Sequence, residues 1–269
     1  MNTLSREQLY RQAPAIFAQA PDLAVSNRYG FVPTIEVVDA LQAEGWYPVR
    51  AQQTRVRDPE RRDTTRHMVR FRQDPDRQIT VGDSIAELVL TNSHDRTAAY
   101  QLDLGLFRLI CSNGMVTPVG AMGGIRVRHG KQVVDQILDG SIALIDEVPN
   151  LAGTVEQFQS MRLSPEESRL FAQSALTLRY GEGWREVSPI QPDALLQARR
   201  SEDRDQNLWR VFNRAQENLL KGGLSGRSRN GRHTSTRAIR SVTEDVRLNR
   251  ALWQLTEHFA PRKGQSRAV

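Results

Sequence analysis

The chain has 269 residues, 37 basic against 31 acidic side chains, and 39% hydrophobic residues. That apolar content excludes wholesale disorder, no run approaches the ~18 apolar residues of a membrane-crossing helix, and a single cysteine, Cys111, excludes an internal disulfide and a cysteine-built zinc site. The charge of +6 is carried by 34 Arg and 3 Lys, and the N-terminus lacks a charged-then-apolar leader, so a soluble cytoplasmic protein with no membrane association is expected.

Residues 5–18 carry a helix signal with Ser5 as N-cap and Gln8 at the third helical position, limited by Pro14. A loop over 26–33 precedes a second helix, with Thr34 as N-cap and Gly45 as terminator. From Trp46 the period shifts towards two: 46–57 and 64–72 read as antiparallel strands about the turn 58–63. His67, Val69 and Phe71 share one face of the second strand, and Arg66, Met68, Arg70 and Arg72 share the other. Further strands are expected at 85–95, at 97–116 with a bulge or bend at Gly105, and at 123–131 with Arg126 and Arg128 on one face. Helices follow from Val133, with a break expected at Asp139-Gly140, then from Ser164-Pro165-Glu166-Glu167, over 203–221, and over roughly 235–259. Strands grouped before helices indicate an α+β fold: an N-terminal helix, an antiparallel sheet of four or five strands covered by helices, and an all-helical C-terminal part. The expected division is a core domain at 1–200 and a helical region at 201–269, with a basic, glycine-rich linker at 222–235.

Charge placement says more than the total. Residues 50–77 hold nine arginines against five acids, and 221–240 hold six basic residues and no acid. Arginine forks match phosphate oxygens, and each phosphate neutralised releases counterions. The expected phosphate path is therefore Arg55, Arg57, Arg66, Arg70 and Arg72 on the hairpin, extended by Arg126, Arg128 and Lys131, with Arg227, Arg229, Arg232 and Arg237 as a clamp. Tyr29, Phe31, Trp46 and Tyr47 are candidate base-stacking aromatics near the hairpin.

Enzymatic signals are weak. The five histidines are scattered with no metal-binding spacing, no nucleotide-cradling glycine loop is present, and Cys111 follows an apolar run that suits an inert buried thiol. His94-Asp95 in a turn is the one pair around which a hydrolase could be imagined. No metal or cofactor is implied, and the chain reads as a non-enzyme.

The segment LTNSHDRTAAYQLDLGLFRLICSNGM (90–115) closely resembles the signature of a phage- and plasmid-related domain-of-unknown-function family, DUF932. SNRYGFVPT (26–34), RHMVRFR (66–72), NLLKGGLSGR (218–227) and the terminal segment 237–260 agree with it. The resemblance implies carriage on mobile elements and no particular activity. A weaker likeness, in element order and charge alone, is to Rad-type single-strand annealing proteins, which form rings around a positive groove. It implies single-stranded DNA as partner and a homo-oligomer of ring form. The resulting expectation is a cofactor-independent single-stranded DNA-binding protein acting in strand annealing or recombination. The alternatives are a non-enzymatic interaction protein for plasmid maintenance or anti-defence and, third, the hydrolase.

Overall fold

The first helix, α1 (Arg6–Gln12), begins where Ser5 and Gln8 close a reciprocal capping box, each side chain satisfying the other's backbone N–H. Pro14 starts a separate 3-10 turn, Pro14–Phe17, so the expected 5–18 helix is two pieces. The computed structural model describes residues 3–25, 30–81, 84–108, 114–117 and 124–265. The chain divides into two compact units, Met1–Leu151 and Ala152–Val269.

In the first unit, α2 (Thr34–Ala43) leads into β1 (Trp46–Gln53) through Gly45, whose φ of 84° suits glycine. β2 (His67–Gln73), β3 (Thr80–Val81), β4 (Ser84–Asn92), β5 (Tyr100–Arg108), β6 (Gly114–Thr117) and β7 (Ile125–Val127) complete the sheet. Its order is β1-β2-β4-β5-β6, with β3 on β4 and β7 on β5, and every pairing is antiparallel. The β4–β5 register passes Gly105 without a shift, so the expected bulge is absent there; it lies in β1 between Pro48 and Arg50. An edge strand tolerates a proline, which has no N–H to give the ladder.

Register explains the core. Val69, Leu90 and Leu102 are cross-strand neighbours, as are Phe71, Leu88 and Leu104, and all six are buried on one face. The helices α2 and α3 (Val133–Asp146) pack on the sheet, α2 on β1 and α3 on β5 and β7. Gly140 does not break α3. A Cβ there would come within 2.6 Å of Ile125 Cδ1, so it is a glycine of close packing. The break falls instead at Glu147, before α4 (Val148–Ser160), which spans the boundary between the units.

The second unit is built on α5 (Pro165–Tyr180), opened by the expected Ser164–Glu167 capping box. Two short helices, α6 (Trp184–Val187) and α7 (Pro192–Leu195), follow, then α8 (Leu208–Lys221) and, at the end, α9 (Val242–Gln265). α5 packs on α7, α8 and α9, which places 165–195 with the C-terminal helices rather than with the sheet. The boundary therefore lies at Leu151, whereas the sequence reading drew it at 200. α8 is buried nearly all round, including Arg214, Glu217 and Asn218. The segment 222–235 is an antiparallel hairpin of β8 (Ser225–Arg227) and β9 (His233–Ser235), not a flexible linker, so the C-terminal part is not all helical.

Candidate nucleic-acid interface

The arginines of the expected phosphate path separate into four environments. Arg70 and Arg72 do share a face of β2, but that face is not a free cationic surface. Glu87 of β4, fully buried, accepts from Arg70 Nε at 2.8 Å and from Arg72 Nε at 2.9 Å. Burial lowers the Arg70 guanidinium to about 10, and the Glu87 charge opposes that fall. Arg66 turns its guanidinium to the Thr97 carbonyl. Arg70 and Arg72 are thus structural: a buried carboxylate needs paired donors, and alternation in β2 supplies them.

Arg55 and Arg57 lie elsewhere. β1 ends at Gln53, before the expected 57, and the chain 54–57 leaves the sheet to form one wall of an open cleft of about 550 Å³. Arg11, Gln12, Pro14, Asp58, Pro59 and Arg62 also line it. The floor is fastened by neutral amides. Gln53 Oε1 accepts from Ala15 N at 2.9 Å, Gln53 Nε2 donates to the Arg62 carbonyl at 2.6 Å, and Gln12 Oε1 accepts from Ala51 N at 3.2 Å. Two glutamines therefore tie the 3-10 turn, β1 and the 58–63 turn into one frame, while the arginines stay on the rim.

The rim is charged and largely unneutralised. Among the described residues, no carboxylate pairs with Arg55, Arg57 or Arg62, all of which are exposed. Arg11 pairs with Glu7, i to i+4, at 2.8 Å. Asp58 spends an oxygen on Glu60 N, capping the short turn Pro59–Arg61. Arg61 faces away, towards Asp22 at 3.7 Å and Asp95 at 3.5 Å. The cleft thus gathers Arg11, Arg55, Arg57 and Arg62 around a single carboxylate. Sequence reading named Arg55 and Arg57 but missed Arg11 and Arg62, because only folding brings residue 11 to residue 55.

Arg126, Arg128 and Lys131 are exposed but stand at the other side of the sheet. β7 pairs with β5, so four inter-strand steps separate it from β1, about 19 Å at ~4.8 Å per step. They do not extend the cleft directly. Arg227, Arg229, Arg232 and Arg237 belong to the second unit and are exposed. Of the candidate stacking aromatics, Trp46 is 2% exposed and lies in the core. Phe31 packs on His94 at 4.9 Å between ring centres, Tyr47 borders a smaller cleft with Asp74 and Asp76, and Tyr29 lies outside the described residues. Trp209 and Trp253 are buried as well. Cys111 also lies outside the described residues.

His94 and Asp95 do not act on each other as a catalytic pair would. His94 is fully buried, with Nε2 3.1 Å from Thr34 Oγ1. The Asp95 carboxylate accepts from Thr97 N at 3.0 Å and Thr97 Oγ1 at 2.6 Å. Around Thr34 gather His67 Nε2 at 2.8 Å, Asn92 Nδ2 at 3.0 Å and Tyr100 Oη at 3.3 Å, with His129 against Tyr100 at 4.8 Å between rings. Thr34 is therefore not the N-cap of α2, a place held by Pro33; its hydroxyl is the centre of a buried polar cluster. Burial lowers His67 to about 4, and burial with the neighbouring His67 and His129 lowers His94 to about 3. Among the described residues no group of His, Cys, Asp and Glu is arranged to hold a metal ion, and no helix is long and apolar enough to cross a membrane.

A family model described as "Domain of unknown function (DUF932)" matches residues 23–253. The chain is 42% identical over 254 residues to the UPF0380 protein YfjQ of Escherichia coli (strain K12), covering 94% of this chain and 90% of that one. It has the same identity and coverage with the UPF0380 protein YafZ of the same strain. No solved structure matches.

Proposed function

The chain belongs to the DUF932 family, whose description names no activity, and we propose from its geometry that it binds single-stranded nucleic acid through the phosphate backbone at the Arg55–Arg57 cleft. The observation that carries this reading is the set of three exposed guanidinium groups without acidic partners, Arg55, Arg57 and Arg62, around one cleft. Like charges left together on one rim repel unless an anion sits among them. Elsewhere in the first unit Arg6 is paired with Asp39, Arg61 with Asp22 and Asp95, and Arg70 and Arg72 with Glu87.

The size of the cleft supports one strand rather than the broad face of a duplex, since its volume is that of a small-ligand pocket. Val56 and Pro59, both exposed, lie among the arginines and offer apolar surface to a base or sugar. Nothing in such contacts reads sequence, because phosphates are the same at every position. Single-strand annealing, which needs strands held by their backbones with bases free to pair, is the use these contacts favour. A homo-oligomer is the assembly proposed for it.

The test is anisotropy of a labelled oligothymidylate across a salt series. Affinity should fall with salt, and the triple variant R55A/R57A/R62A should lower the slope of log K against log salt by about 2, at ~0.7 for each phosphate contact on a single strand. An unchanged slope and affinity in that variant, with its melting temperature retained, removes the cleft from the proposal. Light scattering on the same samples reports the oligomer.

A further inference from the structure

We infer that the β8–β9 hairpin is a second nucleic-acid contact, a phosphate-binding wing of the unit Ala152–Val269. This rests on the function proposed above and extends it from one contact to two. The first observation is one of charge. Six cations elsewhere in this unit are given carboxylates: Arg162 and Asp205, Arg169 and Asp193, Arg200 and Glu217, Arg210 and Asp203, Lys221 and Glu217, Arg247 and Glu244. Between Glu217 and Glu244 the sequence has no acid at all. Arg227, Arg229 and Arg232 are exposed within that stretch, and among the described residues none has an acidic partner. The hairpin thus gathers three exposed arginines in a stretch whose own sequence offers no acid to pair them.

The second observation is that the hairpin is built and held. A Cβ on Gly226 would fall onto the Pro189 carbonyl oxygen, so only glycine lets the strand lie so close. Arg227 N donates to that same carbonyl at 2.8 Å. At the base, Gly223 N donates to the Thr236 carbonyl at 2.7 Å and Leu224 N to Thr236 Oγ1 at 3.0 Å, with Leu224 and Thr236 both buried. At the tip, Ser228 N donates to the Arg232 carbonyl at 2.9 Å, and Gly231 takes the positive φ of 75° that the turn requires. The glycines that composition reads as flexibility therefore serve close packing and the turn.

A fastened, acid-free, two-stranded ribbon with three arginines at and beside its tip has the form of an element that lies along a nucleic-acid backbone. Its arginine forks supply paired donors for phosphate oxygens without ordering a disordered segment on binding. The partner so identified is the phosphodiester backbone.

The experiment uses the full chain, the labelled oligothymidylate and the salt series. R227A/R229A/R232A should lower the slope by about 2, independently of R55A/R57A/R62A, while R227K/R229K/R232K keeps the wild-type slope. A wing variant with wild-type slope and affinity, beside a weakened cleft variant, overturns the wing and leaves the cleft standing. Wild-type protein that fails to bind at low salt removes both. Phosphatidylserine vesicles are the counter-probe: loss of vesicle binding in the wing variant, with oligonucleotide binding unchanged, shows a membrane surface as partner and overturns the inference. Retained melting temperature in both wing variants ties the losses to contact rather than folding.

Discussion

Thr34 has one hydroxyl proton and four polar neighbours. His67 Nδ1 faces the Thr65 carbonyl at 2.9 Å and so carries its ring proton there, leaving Nε2 to accept from Thr34. Asn92 Nδ2 donates to Thr34, and the Tyr100 hydroxyl donates to the Val32 carbonyl at 2.8 Å. That arrangement works with neutral histidine. A proton added to His67 Nε2 would point a second donor at an oxygen already receiving one. The linkage sign follows: with folded values near 4 and 3 against 6.5 unfolded, the unfolded chain binds protons first as pH falls. Stability should be full above about pH 6.5 and decline below it, by up to about 1.4 kcal/mol per pH unit for each histidine. Asp95, on the same turn as His94, favours the charged form and only moderates the decline. Thermal melts from neutral to acid pH check this, and His67→Gln should flatten the curve. Thr34→Val, which removes the shared partner, should cost about 2–3 kcal/mol in denaturant unfolding. Glu87 presents the same logic with charge. Glu87→Gln leaves Arg70 buried beside a neutral group and should lose roughly 3–5 kcal/mol, the Arg70→Met/Glu87→Leu pair recovering much of it.

At the scale of elements, local signals were strong where they were chemical and short. Ser164-Pro165-Glu166-Glu167 opens α5 as its residues dictate, and Ser164→Ala should cost about 1 kcal/mol without altering binding. The alternation of β2 into apolar and arginine faces was equally legible in 66–72. What lay across those faces was not, because Glu87 reaches Arg70 and Arg72 only through the β2–β4 pairing. Glycine was read least well. Gly140 and Gly226 carry the same symbol as a flexible or helix-breaking residue, yet each is required by a neighbour, Ile125 and Pro189, distant in the chain. Gly226→Val should therefore displace the hairpin and expose it to proteolysis while the melting of the sheet unit is unchanged.

At the scale of the molecule, the excess of six positive charges is distributed unevenly. Ion pairs in each unit take up part of this charge, and sets of three exposed arginines without acidic partners stand at the cleft and at the β8–β9 hairpin. If both contacts engage one nucleic acid, six arginines contribute about 4 to the salt slope at ~0.7 each. The six-fold variant R55A/R57A/R62A/R227A/R229A/R232A should then bind with little salt dependence, read by the same anisotropy series, and a slope as steep as wild type would place the phosphate contacts elsewhere.

By itself the sequence determined the α+β class, the caps of α1 and α5, the two faces of β2 with Val69 and Phe71 on the apolar one, and the family. These follow from periodicity and from contacts within a few residues, which a linear chain displays. Tertiary structure decided which arginines are free. Arg70 and Arg55 are alike in sequence, but strand pairing sets one against a buried carboxylate, while the early end of β1 carries the other to an open rim beside Arg11. It also made a hairpin of a segment that composition describes as a linker, because the backbone atoms that hold it belong to Pro189 and Thr236. Charge is a property of the residue; whether that charge is available to a ligand is a property of what the fold places within a few ångströms of it.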